Sequence, residues 1–335
     1  MRVAFLGTPE PAVPALQALL GAADVEVAAV ITNPDRPRDR GHRLAPPPVK
    51  QAATEAGVEV WQPAKPAEIA GDLAALGCDT AAVVAYGAIL GADVLSATRC
   101  GVVNLHFSLL PAWRGAAPVC HAILAGETAT GVTCFVLDEG MDTGPILLRA
   151  TEAIHADDTA ATLTARLAQR GAPLLVDALR GLVHGSLTPT PQPAEAAATA
   201  PKLGDDDARL DWTRPADQLE RAVRAFEPVP GAHTTLGDRR IKITRAAVVD
   251  SIDAAGAEPG TVLDAGAAVP SGGSQGPSGP GSGGNGWRPG RGQPVVVCGD
   301  GRGLAVLEVQ PSGKTRMDGH AFVNGYQPVG ARLGS

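Results

Sequence analysis

The chain has 335 residues, more than one hydrophobic core usually serves, so two domains are expected. Hydrophobic residues make up 44% of it and aromatics only 3%, which suits a core of aliphatic strands and small-residue helices. A formal net charge of −7 excludes a surface basic throughout, as a general nucleic-acid coat or membrane-surface protein needs, so a polyanionic partner has to be met by local patches. The five cysteines are odd in number and far apart, which indicates neither a disulfide framework nor a metal site. With no secretory leader and no apolar run long enough to span a bilayer, a cytoplasmic protein that does not enter membranes is expected.

In chain order, residues 2–6 form an apolar run ending at Gly7, helical spacing follows from about Pro11 to Leu20, and a second apolar run covers Val25–Ile31. This is a β-α-β opening. Its turn, Gly7-Thr8-Pro9-Glu10, lacks the G-x-G-x-x-G that lets a pyrophosphate approach a helix N-terminus, which argues against a dinucleotide-dependent dehydrogenase. Residues 33–43 are rich in Arg, Gly and Pro; by composition they suit a solvated charged loop or a phosphate contact. Apolar runs return at Thr80–Ala85 and Val102–Leu105 with helical patterning between them, the pattern of a parallel sheet wrapped by helices. Runs at Val132–Leu137 and Ile146–Leu148 can extend that sheet, and Asp158 to about Val183 reads as a long amphipathic helix.

The composition then changes. Residues 186–202 are rich in Pro, Ala and Thr without periodicity, as in an extended connector. Beyond it a helix is expected at Ala216–Ala225, followed by alternating segments at Arg240–Thr244, Val295–Val297 and Leu304–Val309 that suit a small β-barrel. Residues of about 266–292 are too poor in apolar side chains to offset their ordering entropy, so a disordered insertion is expected there. The expected fold is α/β: a Rossmann-like parallel-sheet domain over 1–189, a linker over 190–206, and a smaller OB-like β-barrel domain over 207–335.

The chemistry concentrates at the end of the run Val102–Leu105. Alternating side chains put Asn104 and His106 on one face of a strand, so an amide and an imidazole can converge on one reacting atom. Strand ends of open parallel sheets are where ligands collect. Downstream, Asp138-Glu139-Gly140-Met141-Asp142-Thr143-Gly144 is a glycine-punctuated loop offering three carboxylates, of which Asp142 is the candidate to orient the imidazole. The same residues also fit humbler roles: Asn104 and His106 as local backbone partners at a strand end, Asp142 as a solvated turn acid.

Four stretches narrow this choice: NLHFSLLPAWRGAAPV at 104–119, MDTGPILL at 141–148, FLGTPEPAVPAL at 5–16, and NPDRP with APPPVK at 33–37 and 45–50. Together they resemble the methionyl-tRNA formyltransferase family, and the broader Asn/His/Asp formyltransferase group shares the first two in part. The resemblance spans nearly the whole chain. It implies transfer of the formyl group of 10-formyltetrahydrofolate to the α-amine of methionine carried on initiator tRNA, without a metal; a monomer is the default expectation. Asn104 and His106 would then donate to the oxygen on which negative charge gathers, with Asp142 orienting His106 and helping to remove the excess amine proton.

The resemblance further assigns the folate cleft to Tyr86, Gly87, Ile89 and Leu90, to main-chain groups around Asp138, and to Ser108, Leu109, Leu110, Pro111, Arg114 and Gly115. It assigns RNA contact to Arg36, Arg40 and Arg43 in the loop after the second strand, and the basic cluster of the second domain, with Arg239, Lys242 and Lys314, suits backbone contact with RNA. Two features depart from the family pattern: Val229 stands where an aromatic residue is expected, and the Gly/Ser-rich insertion is unusual. The rival readings are a formyltransferase for a small amine, such as glycinamide ribonucleotide or a nucleotide-linked amino sugar, and a non-catalytic RNA-binding homologue. The first needs neither an arginine-rich loop nor a basic barrel; the second has no need of Asn104, His106 and Asp142 together.

Overall fold

In the computed structural model, residues 1–38, 43–193, 196–268 and 289–334 are described. They form two compact units: Met1–Pro118, Ala129–Ala153 and Thr164–Lys202 make the first, and Val119–Thr128, Ile154–Leu163 and Leu203–Ser335 the second.

The chain begins with strand β1 (Arg2–Gly7), helix α1 (Val13–Leu20) and strand β2 (Glu26–Ile31), the β-α-β opening expected. A short hairpin, β3 (Arg36–Arg38) and β4 (Arg43–Ala45), leads to α2 (Pro48–Glu55) and β5 (Val60–Trp61). Then come α3 (Ala70–Ala75), β6 (Thr80–Val84), α4 (Ala92–Leu95), β7 (Val102–His106), α5 (Pro118–Ala125), β8 (Ala129–Val136), β9 (Ile146–Ala153) and the long α6 (Ala160–Val183). Seven of these strands form one sheet in the order β5-β2-β1-β6-β7-β8-β9. It is parallel from β5 to β7 and antiparallel from β7 onward.

Burial explains which strands were plain in the sequence. Val3–Leu6 of β1 and Ala81–Ala82 of β6 have no exposed surface, as expected for central parallel strands covered on both faces. On β9 only Leu147 is buried, and its outer half alternates, so the strand runs five residues beyond the apolar run that announces it. β1 lies between β2 and β6, so the crossovers diverge there and leave a crevice at the carboxyl ends of the strands. α6 packs against the strand that carries the site: a Cβ on Gly171 would come within 2.8 Å of the Leu105 methyl groups, so any larger residue there would have to displace that buried side chain.

Residues 190–193 and 196–200 belong to the first unit and bond to its strands and loops. Thr190 and Ile146 exchange two backbone hydrogen bonds of 2.8 Å. Further along, the Arg114 N–H donates to Ala198 and the Ala200 N–H to Arg114, at 2.8 and 2.7 Å. The composition is that of a connector, but the main chain is bonded, which side-chain periodicity does not register.

In the second unit, α7 (Ala216–Phe226) precedes β10 (His233–Leu236), β11 (Arg239–Val249) and β12 (Val262–Asp264). After α8 (Ala265–Ala268) come β13 (Pro294–Val297), β14 (Gly303–Pro311), β15 (Met317–Asp318) and α9 (Gly319–Tyr326). The strands form a six-stranded antiparallel sheet, β10-β11-β14-β13-β12 with β15 on β14, which is compatible with the small barrel expected. Leu219, Val223 and Phe226 recur at helical spacing on α7 and are buried in a core with Trp212, Ile241 and Val306. Most of the expected insertion, residues 269–288, lies outside the described residues, as does Arg40. Among the described residues no helix is long and apolar enough to cross a membrane.

Candidate active site

The site is built at the carboxyl end of β7, where His106 is paired with Thr133 of β8 and Asn104 with Phe135. Asn104 is half-buried, and among the described residues no hydrogen bond engages its side-chain amide. The amide is therefore free to bond a ligand or solvent. His106 is 6% exposed. Its Nε2 lies 2.9 Å from the Trp113 carbonyl, and since a carbonyl only accepts, Nε2 carries a proton. The chemistry of the ring is thereby confined to Nδ1, which faces Asp142 Oδ2 at 3.7 Å.

That separation is too long for a direct hydrogen bond. Asp142 Oδ2 instead accepts the Gly115 N–H at 2.7 Å, so one carboxylate joins the imidazole to the loop after β7. Both loops adopt unusual backbone: φ is +54° at Asp142, +63° at Trp113 and +121° at Gly115. Aspartate tolerates the left-handed region better than most residues, and glycine enters it without cost. Gly144 is restricted by space rather than by φ, since a Cβ there would lie 1.8 Å from the Val136 carbonyl oxygen.

The proposed folate residues divide into two kinds. Tyr86 is 3% exposed, and burial pushes its phenol above the usual range. Its carbonyl accepts from Asn33 Nδ2 at 3.0 Å, tying the loop after β6 to the one after β2. Gly87 has φ of +80°, Leu90 is buried, and Ile89 is 84% exposed, an apolar side chain presented to solvent. Ser108 and Leu110 have no exposed surface; they set the path of the loop. Ser108 Oγ donates to the Ala112 carbonyl, while Thr133 Oγ1 donates to the Ser108 carbonyl and accepts the Leu110 N–H. Leu109 is half-buried, Pro111 is buried, and the Leu110–Pro111 peptide is cis. Asp138 is exposed and its Oδ1 accepts from the Gly140 N–H and Thr143 Oγ1, which folds the loop that carries Asp142.

Arg114 is half-buried and its guanidinium is held by Gln192 Oε1, through Nε at 3.1 Å and Nη2 at 2.7 Å. Gln192 and Thr133 carry no signal in the sequence. A single glutamine among prolines and threonines, or a threonine inside an apolar run, belongs to no motif.

Of the basic residues in the hairpin, Arg36 is exposed on β3 and Arg43 stands on β4. Asp35, which by sequence could offset these arginines, is engaged elsewhere. Lys50 Nζ lies 2.9 Å from both its oxygens and Gln62 Nε2 2.8 Å from one of them. These bonds, Lys50 first, hold its carboxyl below the usual carboxylate range. In the second unit, Arg240 pairs with Asp205, and Arg316 with Glu227 and Glu308. Among the described residues Arg239, Lys242 and Lys314 form no salt bridge, although Asp205 also feels the charge of Lys242, and Arg239 lies 5.0 Å from the Tyr326 ring centroid. Also among the described residues, no group of three or more His, Cys, Asp and Glu side chains is placed to hold a metal ion.

With this geometry in place, comparison with known proteins is informative. The family model for formyl transferase matches residues 1–179, and that for the formyl transferase C-terminal domain matches 202–327. The methionyl-tRNA formyltransferase of Halorhodospira halophila is 49% identical over 331 residues, covering 98% of this chain and 97% of the relative. That of Ruegeria pomeroyi is 41% identical over 336 residues, covering 99% and 100%. Among solved structures, the N-formyltransferase of Helicobacter canadensis in complex with folinic acid and dTDP-3-aminofucose superposes with a TM-score of 0.62 at 16% identity, covering 91% of this chain and 98% of that one. HypX of Aquifex aeolicus in complex with tetrahydrofolic acid gives a TM-score of 0.60 at 17% identity, covering 97% of this chain and 47% of that one. At such identities these two structures speak to the fold alone.

Proposed function

We infer, for a chain that belongs to the methionyl-tRNA formyltransferase family, that the end of β7 is the centre at which a formyl group passes from 10-formyltetrahydrofolate to the α-amine of methionyl initiator tRNA. The observation that carries the assignment is an unengaged Asn104 amide on the same strand face as a His106 ring whose free edge looks toward Asp142.

The donor supplies the formyl carbon; this chain supplies orientation and charge stabilisation. Acyl transfer gathers negative charge on the carbonyl oxygen, and a preorganised donor is most effective there. Asn104 can be that donor, since among the described residues no protein group competes for its N–H. His106, locked through Nε2, presents Nδ1 on the edge shared with Asp142. The neutral α-amine attacks the formyl carbon, and the tetrahedral intermediate collapses by breaking the bond to the folate nitrogen, which leaves with a proton. Asp142, fixed by the Gly115 N–H, would take the excess proton from the amine nitrogen once it has bonded. Tyr86, Gly87, Ile89 and Leu90, with Asp138 and the loop from Ser108 to Gly115, would line the folate cleft. The exposed Ile89 offers an apolar wall to a flat ring.

In this reading residues 1–189 carry the reacting groups, 190–206 serve as the linker, with its first part bonded to the loops of the site, and 207–335, as an OB-like barrel, carry RNA contacts through Arg239, Lys242 and Lys314. Arg36 and Arg43 would meet the RNA from the hairpin, and Arg40, which lies outside the described residues, would join them by its place in the sequence. The setting is cytoplasmic and the enzyme a monomer. The test is formyl transfer to methionyl initiator tRNA, measured beside free methionine, glycinamide ribonucleotide and a nucleotide-linked amino sugar. Transfer confined to the tRNA is expected. Transfer to a small amine alone would overturn the substrate, and no transfer at all would overturn the reading as an enzyme.

A further inference from the structure

Residues 190–193 and 196–200 bond to the strands and loops of the site, and one side chain among them, Gln192, joins the two loops. Gln192 Oε1 accepts from Arg114 Nε and Nη2 at 3.1 and 2.7 Å. Its Nε2 donates to the Asp142 carbonyl at 2.9 Å and to the Gly144 carbonyl at 2.7 Å. All four hydrogen-bonding positions of the amide are therefore used, and its partners fix which way it points. Turned over, it would set an oxygen against two carbonyls and an NH2 group against a guanidinium.

The constraint falls where the backbone most needs one. Asp142 is held at φ +54°, with its carboxylate on the Gly115 N–H and its carbonyl on Gln192. Gly144 cannot carry a side chain, and its carbonyl meets the same amide. Arg114 is gripped twice by this segment, through its main chain at Ala198 and Ala200 and through its guanidinium at Gln192. Asp142 and Arg114 thus cannot shift independently while Gln192 is in place.

We propose that Gln192 is a positioning residue for formyl transfer, acting through Asp142 and Arg114 rather than on substrate. The proposal rests on the reading of the β7 edge as the reaction centre. It requires a neutral amide, because the site asks for two donors on one side and an acceptor on the other. A carboxylate would keep the bond to Arg114 and lose both donations to the Asp142 loop; an apolar chain would lose both sides.

The experiment compares wild type, Gln192→Glu and Gln192→Leu as full-length proteins. It measures kcat, KM for 10-formyltetrahydrofolate, and hydrogen exchange of the peptide spanning 138–146. Small displacements of reacting groups cost up to about a hundredfold in rate. Gln192→Glu should accordingly lower kcat roughly tenfold to a hundredfold while KM for the donor stays within about threefold. Gln192→Leu should lower kcat similarly and raise that KM as well, because Arg114 is released. Both should speed exchange over 138–146. A kcat retained in both variants, with only thermal stability reduced, would overturn the proposal and leave Gln192 a purely structural residue. Exchange is read without substrate, so an inactive wild type would count against the proposed function while unchanged exchange would still overturn this one.

Discussion

At the end of β7 most polar groups are engaged by neighbours: His106 by Trp113, Asp142 by Gly115 and Gln192, Ser108 by Ala112 and Thr133. On β11 and the turn after β14 the groups suited to RNA, Arg239, Lys242 and Lys314, form no salt bridge among the described residues, while Arg240 and Arg316 are neutralised within their own unit. The first region is organised for geometry, with the Asn104 amide unengaged among the described residues while the network around it is fixed. The second is organised for charge, and its side chains need only reach a phosphate. Substitutions should therefore act through turnover and stability in the first region, and through affinity and salt dependence in the second.

The largest effect is expected at Asn104. Removing one donor to a developing oxyanion costs about 10²–10³ in kcat, so Asn104→Ala should fall by that factor with an unchanged denaturation midpoint. A turnover within a fewfold of wild type would remove Asn104 from the chemistry. Next is Thr133→Val, which keeps shape and deletes a hydroxyl that serves Ser108 and Leu110 in a place with no exposed surface. Leaving a buried group unsatisfied costs about 1–3 kcal/mol, to be read from urea denaturation at unchanged slope. An unchanged midpoint would mean that the loop does not depend on this bond.

Smaller still are the charge effects. Lys314→Ala should weaken RNA binding alike for initiator and elongator tRNA and reduce the slope of log K against log salt by about one. An unaltered slope would take Lys314 out of the RNA face. The smallest is the acid response of the hairpin base. The Asp35 carboxyl is held below the usual range by Lys50, so its contribution is present above the ordinary value of ~3.9 and is lost as pH falls through the lowered one. Proteolysis near residues 33–38 should rise in that acid window, and Lys50→Met should remove the pH dependence.

The legible parts of the molecule are those where one physical rule acts alone. Strands such as β6, buried on both faces, announce themselves as apolar runs. Asn104 and His106 share a face because strand side chains alternate, which spacing alone reveals. Asp142 stood out among three carboxylates through its motif, and its left-handed backbone could not be read beforehand. Orientation was hidden too, because the Trp113 carbonyl reaches His106 only through a turn with φ of +63°. Gln192 was illegible for a related reason. Its partners lie 78 and 50 residues away in sequence, and it shares no periodicity with either. Cys134 is explained by its surroundings: it has no exposed surface, and burial pushes its thiol far up, so it is inert.

The most direct test crosses the two regions in one experiment: kcat and KM for methionyl initiator tRNA in wild type, Asn104→Ala and Lys314→Ala. Loss of kcat with KM retained in the first variant, and a raised KM with kcat retained in the second, is the predicted result. A retained kcat in Asn104→Ala would contradict the placement of the reaction at the end of β7.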